Sequence, residues 1–333
     1  MEPTFNDYVG LIYKRFESFV QSSEAVKKLG PPYVYQQQSM IMFFIWMQFK
    51  KIYEFKTQWR WLSKHPEALL VLNWKKVPHR TSLSRRYKAL YPVIKDLIAF
   101  LGENSQELGD EMSGKHLNED QSLFKAQGSV WHQSDRKIGR IPEKLRNLDR
   151  DATWSKSAYH GWVYGYGIHL TSNTAGFPFL IEVETAAFSE KQALERKTEQ
   201  IVYHLKPESL CGDDAYTKAI RIRQWAQQGV ILLTPALRWK NGRYAKAYHR
   251  FIKQDSDMAS LLARRKTSIE PIFDLISKLL GTLGKQKQLF RQGICNVRTH
   301  LALGVLSLQI AMIANSVWNM PFRTISCIKG VFA

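Results

Sequence analysis

The sequence predicts an α/β protein in which a mixed sheet covered by helices follows an α-helical N-terminal region. Residues 1–112 show no strand-like alternation of apolar and polar residues, which indicates helices. From residue 113 onwards three predicted strands come first, and further strands then alternate with helices, which is typical of a mixed sheet. Hydrophobic residues make up 44% of the 333-residue chain, enough for a sizeable core.

The charge of the chain predicts a polyanionic partner. It carries 48 Lys+Arg against 29 Asp+Glu, for a net charge of +19, and its pI is about 9.8. Such an excess points to nucleic acid first and to an anionic membrane surface second. The three cysteines form no CxxC pair, which argues against a zinc finger and suits a reducing cytoplasm.

Two apolar runs raise the question of a membrane span. Residues 40–49 are too short to cross a bilayer, and residues 301–318 are interrupted by four polar residues. We therefore expect the second run to be a buried helix and the protein to have no membrane partner.

A basic helix is predicted in the N-terminal region. Thr81 or Ser82 could cap it, and its apolar residues recur at helical spacing: Leu83, Tyr87, Leu90, Ile94 and Leu97. Arg85 and Arg86 lie near its start. Such a helix is typical of a helix-turn-helix DNA reader, and it is equally typical of an amphipathic surface helix.

The polar segment Glu103–Lys115 carries two glycines and predicts a domain boundary. Residues 1–112 would form a helical DNA-binding or dimerisation region and residues 113–333 the sheet domain with C-terminal helices. Strands are predicted around Asp120 and at 162–170, 177–185, 209–213 and 230–236. Helices are predicted at 189–204 and 215–228, and a last one from Thr267 or Ser268, with Pro271 in its first turn.

Three carboxylates occupy notable places in this order. Asp120 lies on the first predicted strand, Asp213 at the carboxyl end of the fourth, and Glu270 at the start of the last helix. Ligands gather at the carboxyl ends of strands in open α/β sheets, and carboxylate oxygens suit hard cations. The alternatives are a solvated turn with a helix cap for Asp213 and an ordinary first-turn glutamate for Glu270.

Four motifs between Val77 and Asn315 resemble the DDE-type transposases of bacterial insertion sequences. The motifs are DQSLFKAQGSVWH, GWVYGYGIHL, GDDAYTK and RRKTSIEPIF. The resemblance implies an RNase H-like sheet, with Asp120, Asp213 and Glu270 as the acid triad and Asp214 as an outward neighbour of the second acid that could cap a helix. The chain departs from the family around the last acid: Ala263 stands in the tyrosine place, Lys266 in the arginine place, and Ser277 in the lysine place with Lys278 one step late.

The resemblance implies metal-dependent cleavage at insertion-sequence ends, followed by strand transfer. Two Mg²⁺ ions would be held by the triad, with Mn²⁺ as a substitute. The implied partner is double-stranded DNA with terminal inverted repeats, bound by a homodimer in the cytoplasm. Two alternatives stay open: an RNase H-like nuclease, and a catalytically inactive DNA-binding protein derived from a transposase.

Further basic and aromatic residues are expected to contact DNA. They are Trp131, Arg136, Lys137, Arg140 and Lys144 in the segment after the first strand, and Arg264, Arg265, Lys266 and Lys278 around the helix that carries Glu270. Arg238 and Lys240 belong to a loop after the last strand that is either solvated or faces DNA. Trp131 could stack a displaced base or be a packed tryptophan in a surface loop. His169 could be a structural hydrogen-bonding residue or a neighbour of the active site.

Overall fold

The computed structural model describes residues 2–22, 34–143, 145–157, 161–235 and 243–332. Lys144, Arg238 and Lys240 lie outside these residues. The strands are β1 (His116–Lys125), β2 (Thr153–Ser157), β3 (Gly161–Asn173), β4 (Pro178–Thr185), β5 (Ser209–Cys211) and β6 (Ile231–Leu233). The helices are α1 (Phe5–Ser22), α2 (Gln37–Phe49), α3 (Phe55–Lys64), α4 (Pro66–Val71), α5 (Arg80–Lys88), α6 (Tyr91–Asn104), α7 (Gln133–Lys137), α8 (Glu190–Glu199), α9 (Ala219–Gln227), α10 (Arg243–Gln254), α11 (Ser256–Leu280), α12 (Ile294–Val317) and α13 (Ser326–Phe332).

The strands form one mixed sheet, so the predicted α/β class is confirmed. The strand order is β2-β3-β1-β5-β6, and β4 pairs with the second half of β3. β3 runs antiparallel to β1, β2 and β4, whereas β1, β5 and β6 are mutually parallel. β2 was not expected from the sequence, because its five residues are half-buried to exposed and carry no apolar alternation.

The predicted helix across residues 81–97 is in fact two helices. α5 begins at Arg80, where the side chain of His79 accepts a hydrogen bond from the Thr81 amide, so the expected cap at Thr81 or Ser82 is wrong. The helix is interrupted at residues 89–90, and α6 begins with Pro92 in its first turn. Proline has no amide hydrogen and favours the start of a helix, which explains the break.

The helix expected to begin at Thr267 or Ser268 begins about three turns earlier. α11 begins at Ser256, where the Asp255 carboxylate accepts from the amides of Asp257 and Met258 at 3.0 Å. Pro271 therefore lies inside the helix, and the expectation that it occupies the first turn is wrong. It removes the amide that would bond to the Thr267 carbonyl; Thr267 is exposed, so solvent can take the place of that amide.

The long apolar helix α12 lies in the core. It meets the length and hydropathy of a membrane span, but 89% of its apolar window is buried inside the protein, as in the core helix of a soluble protein. It packs against α2, α5 and α6 on one side of the predicted 112/113 boundary and against α11 and β4 on the other. The boundary stays a prediction, and buried contacts cross it.

Other element ends differ from the sequence prediction by a few residues. The predicted helix 189–204 is α-helical to Glu199 and continues as a π-helix over Gln200–Leu205. The predicted fourth strand ends at Cys211, and a 3-10 turn begins at Asp214, after Gly212 and the extended Asp213. The side chain of Asp213 caps this short turn.

Candidate active site

Asp120 and Asp213 lie on adjacent parallel strands just beyond the ladder that joins them, Asp120 in the middle of β1 and Asp213 after the last residue of β5. The β1–β5 ladder pairs Asn118 with Cys211, and each aspartate lies two residues beyond its member of that pair. Asp213 is still extended, with φ −79° and ψ −174°. Since side chains two residues apart share a face of the sheet, both carboxylates project from the same face of adjacent strands. Their charges interact: the negative charge of Asp213 helps to raise the pKa of Asp120.

Arg265 reaches Asp120 from the middle of α11. Its Nη1 donates to Asp120 Oδ2 at 2.8 Å, and the two side chains are 8% and 18% exposed. Burial raises the pKa of Asp120 to about 6, even though Arg265 and the Gln121 amide pull it down. Desolvation of the carboxylate therefore outweighs its pairing with a single cation. Arg265, expected to contact DNA, instead lies inside the site.

Asp213 also closes the turn that follows it. Its Oδ1 accepts from the Ala215 amide at 2.8 Å and caps the 3-10 turn Asp214–Tyr216. The suggested capping role of Asp214 is therefore filled by Asp213. The alternatives of a cap and a site residue are compatible, because a carboxylate has a second oxygen available for another partner.

The charge of Glu190, at the start of α8, interacts with the charges of the two aspartates, and the sequence did not indicate this residue. Burial, followed by the charges of Asp213, Asp120 and Glu119, raises its pKa to about 8. Its Oε2 is buried and makes no hydrogen bond within the described ranges. The sequence signal was only Ser189 followed by Glu190, the usual start of a helix, and its proximity to Asp213 depends on how α8 packs against the 3-10 turn.

Glu270 lies on a different side of α11 from Arg265. Position 270 is five residues beyond Arg265, about 140° further round the helix, and its side chain is exposed. Burial lowers the pKa of Lys287, and the negative charges of Asp274 and Glu270 partly offset this effect. The Lys287 Nζ lies 3.7 Å from Asp274 Oδ1. The structure thus places Asp120 and Asp213 on adjacent strands, with the charge of Glu190 interacting with both, and Glu270 on an exposed face of α11.

A buried ion pair lies on the opposite face of β1. The Lys197 ammonium donates to both oxygens of Glu119, at 2.5 and 2.6 Å, and to Thr171 Oγ1 at 2.9 Å. Both charged side chains are fully buried. Because Lys197 belongs to α8, this pair attaches the helix that carries Glu190 to the centre of the sheet.

His169 is a buried neighbour of this ion pair. Burial, and then the charges of Lys197 and Arg196, lower its pKa to about 3, so the ring is neutral at physiological pH. Its Nε2 lies 3.4 Å from the Gln121 side-chain nitrogen, and within the described part of the chain its Nδ1 has no partner. The geometry agrees with the structural alternative for this residue.

The residues expected to contact DNA fall into two groups. Several are exposed: Arg85, Lys137, Arg140, Arg264, Lys266 and Lys278. Others are engaged within the fold. Arg86 donates to the Tyr35 carbonyl, and Arg136 donates to the Ala152 carbonyl and stacks on the Trp131 ring.

Trp131 is held on both sides by its neighbours. Its indole nitrogen donates to the Arg140 carbonyl at 2.9 Å, and its own carbonyl accepts from Trp154 at 2.8 Å. The side chain is half-buried. These contacts favour the packed-tryptophan alternative over a freely stacking base platform.

The acidic side chains offer oxygen ligands of the type that a divalent cation binds, but no completed site in the described part of the chain. Among the described residues, no three His, Cys, Asp or Glu side chains are already arranged to hold a metal ion. Carboxylate oxygens such as those of Asp120, Asp213 and Glu190 are of the type that hard cations bind, and Oε2 of Glu190 has no hydrogen-bond partner within the described residues. Arg265 occupies the Asp120 oxygen for which a cation would compete.

Comparisons with known proteins add little to this geometry. No protein-family model and no curated protein matches the chain. Among solved structures, a chain of the "Crystal structure of a pre-cleavage Mos1 transpososome" is 10% identical, with 90% of this chain and 85% of that chain covered. The TM-score is 0.18, too low to identify a fold.

Proposed function

We propose that the protein is a DDE-type DNA transposase that cuts DNA at the ends of an insertion sequence and joins them to a target. The observation that carries the proposal is the pairing of Asp120 with Asp213. The two carboxylates lie on the same face of adjacent parallel strands, and Asp213 follows the carboxyl end of β5, the kind of strand end where α/β sheets bind ligands.

The sheet topology supports an RNase H-like fold. β1, β3 and β4 form an antiparallel set, and β5 and β6 then continue the sheet parallel to β1 with helices between them. One acid lies on the first strand and the second follows the strand beside it. This is the layout that the resemblance to DDE transposases implies.

In the proposed mechanism the protein binds, positions and neutralises charge. Asp120, Asp213 and the motif residue Glu270 would hold two Mg²⁺ ions, or Mn²⁺ in their place. These ions would activate the attacking oxygen and stabilise the leaving oxygen of the phosphodiester. The aspartates have to be ionised to bind, and released Arg265 would be free to pair with a DNA phosphate.

The charge of the chain supports DNA as the partner. A net charge of +19 offsets repulsion between two duplexes, and contacts of Lys and Arg to phosphates make binding depend on salt. The exposed basic residues lie on α5, α7 and α11 and in the loop after α7. Terminal inverted repeats as the target, a homodimer on DNA and a cytoplasmic location belong to the same proposal.

The test is cleavage of labelled DNA taken from both flanks of the gene. The parent protein with Mg²⁺ or Mn²⁺ is compared with Asp213→Asn, and Asp214→Asn is the matched control one residue away. We expect cuts that leave a 3′-OH at inverted-repeat ends, that need metal, and that disappear in Asp213→Asn alone. Metal-dependent cleavage retained in a folded Asp213→Asn variant would contradict the proposal.

The Arg265–Asp120 ion pair favours a second candidate, an inactive DNA-binding protein derived from a transposase. An arginine that permanently neutralises Asp120 would leave the site without a metal. Specific binding of the element ends with no cleavage in any metal would support this alternative. An RNase H-like nuclease would cut but give no joined product, so a strand-transfer assay distinguishes it.

A further inference from the structure

Trp162, the second residue of β3, presents its indole ring to solvent. It is 56% exposed and lies directly opposite Lys156 in the β2–β3 ladder, where Trp154 and Tyr164 form the neighbouring pair on the same face. The Trp154 ring centroid lies 6.5 Å from that of Trp162, with the ring planes at 79°, and 5.4 Å from that of Tyr164. One face of this strand pair therefore carries three aromatic side chains and a lysine, and Trp162 is the most exposed of the rings.

Hydrogen bonds hold the rings behind Trp162 in place. The Trp154 indole nitrogen donates to the Trp131 carbonyl at 2.8 Å, and the Tyr164 hydroxyl donates to the Asp149 carbonyl at 2.6 Å. Trp154 is half-buried and Tyr164 is buried. A ring that rests on a fixed support loses little conformational freedom when a partner binds to it. Trp162 is therefore the exposed end of a rigid aromatic support.

Basic side chains lie around the exposed ring. Lys156 is exposed directly across the ladder. The side-chain nitrogen of Gln286 donates to the Trp162 carbonyl at 3.5 Å, which brings the adjacent, exposed Lys285 to the same part of the surface. Phosphates of a nucleic acid complement these charges, and an aromatic ring among cations is typical of surfaces that bind single strands. Since the bases of a duplex stack on one another, an exposed indole selects an unpaired base.

The exposed ring lies on the same face of the sheet as Asp120. The β1–β3 ladder pairs Phe124 with Tyr166, and Asp120 and Trp162 each precede their member of this pair by four residues on antiparallel strands. An even number of residues keeps both side chains on one face, about 26 Å apart along the strands. Lys287 lies between them, with its Nζ 5.7 Å from the centroid of the Phe124 ring. A strand leaving the acidic site in this direction would pass a further cation before it reaches Trp162.

We propose that Trp162 stacks on an unpaired base and that the surface formed by Trp162, Trp154, Lys156 and Lys285 binds single-stranded DNA. Trp131, whose ring is engaged within the fold, supports this surface and does not stack on the base itself. The single strand would come from DNA that opens near the cleaved phosphodiester, and in this respect the inference rests on the proposed function. Binding itself requires neither a metal nor cleavage.

The test measures the affinity of the full chain in EDTA for a fluorescently labelled oligothymidylate of about twelve nucleotides, by fluorescence anisotropy. Trp162→Ala is compared with the parent and with its matched control Trp59→Ala, which removes another exposed tryptophan, from α3. We expect affinity to fall at least about fivefold in Trp162→Ala and less than about twofold in Trp59→Ala, since stacking on a single base is worth a factor of this size. Trp162→Tyr keeps an aromatic face and should stay within about twofold of the parent.

The salt dependence of the same binding tests the role of Lys156. Lys156→Gln should reduce the slope of log affinity against log salt by about 0.7, the value for one phosphate contact to a single strand. Trp162→Ala removes no charge and should keep the slope of the parent. An unchanged slope in Lys156→Gln would remove the lysine from the surface.

The remaining outcomes decide against the inference. Unchanged affinity in a folded Trp162→Ala variant, or no binding of the oligothymidylate by the parent, overturns it. An equal loss of affinity for a blunt duplex of the same length also overturns it, because the indole would then contact no unpaired base. Light scattering that shows a dimeric parent and a monomeric Trp162→Ala variant would assign the surface to a second copy of the chain.

Far-UV circular dichroism verifies that each variant is folded. If Trp162→Ala does not fold, Trp162→Leu provides the test, because it keeps apolar bulk without an aromatic face and should lose affinity in the same way. Cleavage is measured separately with the Asp213→Asn variant. A protein that binds through Trp162 but cuts no DNA supports the inference and contradicts the proposed chemistry, so the two failures are distinguishable.

Discussion

Arg265 of α11 and Asp120 of β1 form a nearly buried ion pair at 2.8 Å, and it links the long helix α11 to the central strand. The arginine supplies the positive charge that pairs with the nearly buried Asp120 carboxylate. It therefore stabilises the metal-free protein and, under the proposed function, competes with the metal. Substitution of Arg265 separates these two effects.

Arg265→Gln should destabilise the metal-free protein by about 3 kcal/mol, because it leaves Asp120 buried without its cation. The same variant should be stabilised more than the parent by Mg²⁺ or Mn²⁺, since no arginine has to be displaced. Thermal melting in EDTA and in millimolar metal measures both quantities. Arg264→Gln is the matched control: it removes the exposed arginine next to Arg265 and should behave like the parent in both media.

The two aspartates could be proposed as site residues from the sequence because both depend on local signals. A predicted strand carries Asp120, and a tight turn after another predicted strand carries Asp213. The position of Glu190 could not be predicted, because it depends on how α8 packs against a turn more than twenty residues away along the chain.

The exposed position of Glu270 could not be predicted from the local sequence either. Pro271 signals a helix start, but Asp255 caps a helix that begins earlier and continues through the proline. The long helix then places Arg265 rather than Glu270 against the sheet. Tertiary packing, not propensity, decided which charged residue of α11 faces Asp120.

Substitution of Asp213 should separate its capping role from its role in the proposed chemistry. Asn caps as well as Asp, so Asp213→Asn should keep the bond to the Ala215 amide and change the free energy of unfolding by less than about 0.5 kcal/mol. Asp213→Ala should cost about 1 kcal/mol through loss of the cap. Urea denaturation of both variants measures the difference. Equal stabilities would mean that the cap contributes nothing and would leave Asp213→Ala equally suitable for cleavage assays.

The Lys197–Glu119 pair should contribute strongly to stability when one partner alone is removed. Lys197→Met leaves a fully buried, unpaired carboxylate and should cost about 3–5 kcal/mol. The double variant Lys197→Met with Glu119→Leu should recover most of this loss, because no charge stays buried. Urea denaturation measures each step. Lys115→Met, which breaks an ion pair more than half exposed on both sides, is the control and should change stability by less than about 0.5 kcal/mol.

His169 should make the protein sensitive to acid. Its pKa is lowered to about 3 in the folded protein, chiefly by burial, from the ordinary value of 6.5. Between these values the unfolded chain binds a proton that the folded protein does not. The stability associated with His169 is therefore fully present above pH 6.5 and is lost as the pH falls towards 3.

The variant His169→Leu removes this titration and keeps a side chain of similar size in the core. Between pH 7 and pH 5 the parent should lose up to about 2 kcal/mol more stability than His169→Leu, a value given by linkage for a single proton. Urea denaturation at pH 7, 6 and 5 measures the two curves. His300, whose pKa burial also lowers to about 3, titrates equally in both proteins, as do Asp120 and Glu190, so their effects cancel in the difference. Parallel curves would show that His169 takes up a proton in the folded state, as an active-site residue open to solvent would.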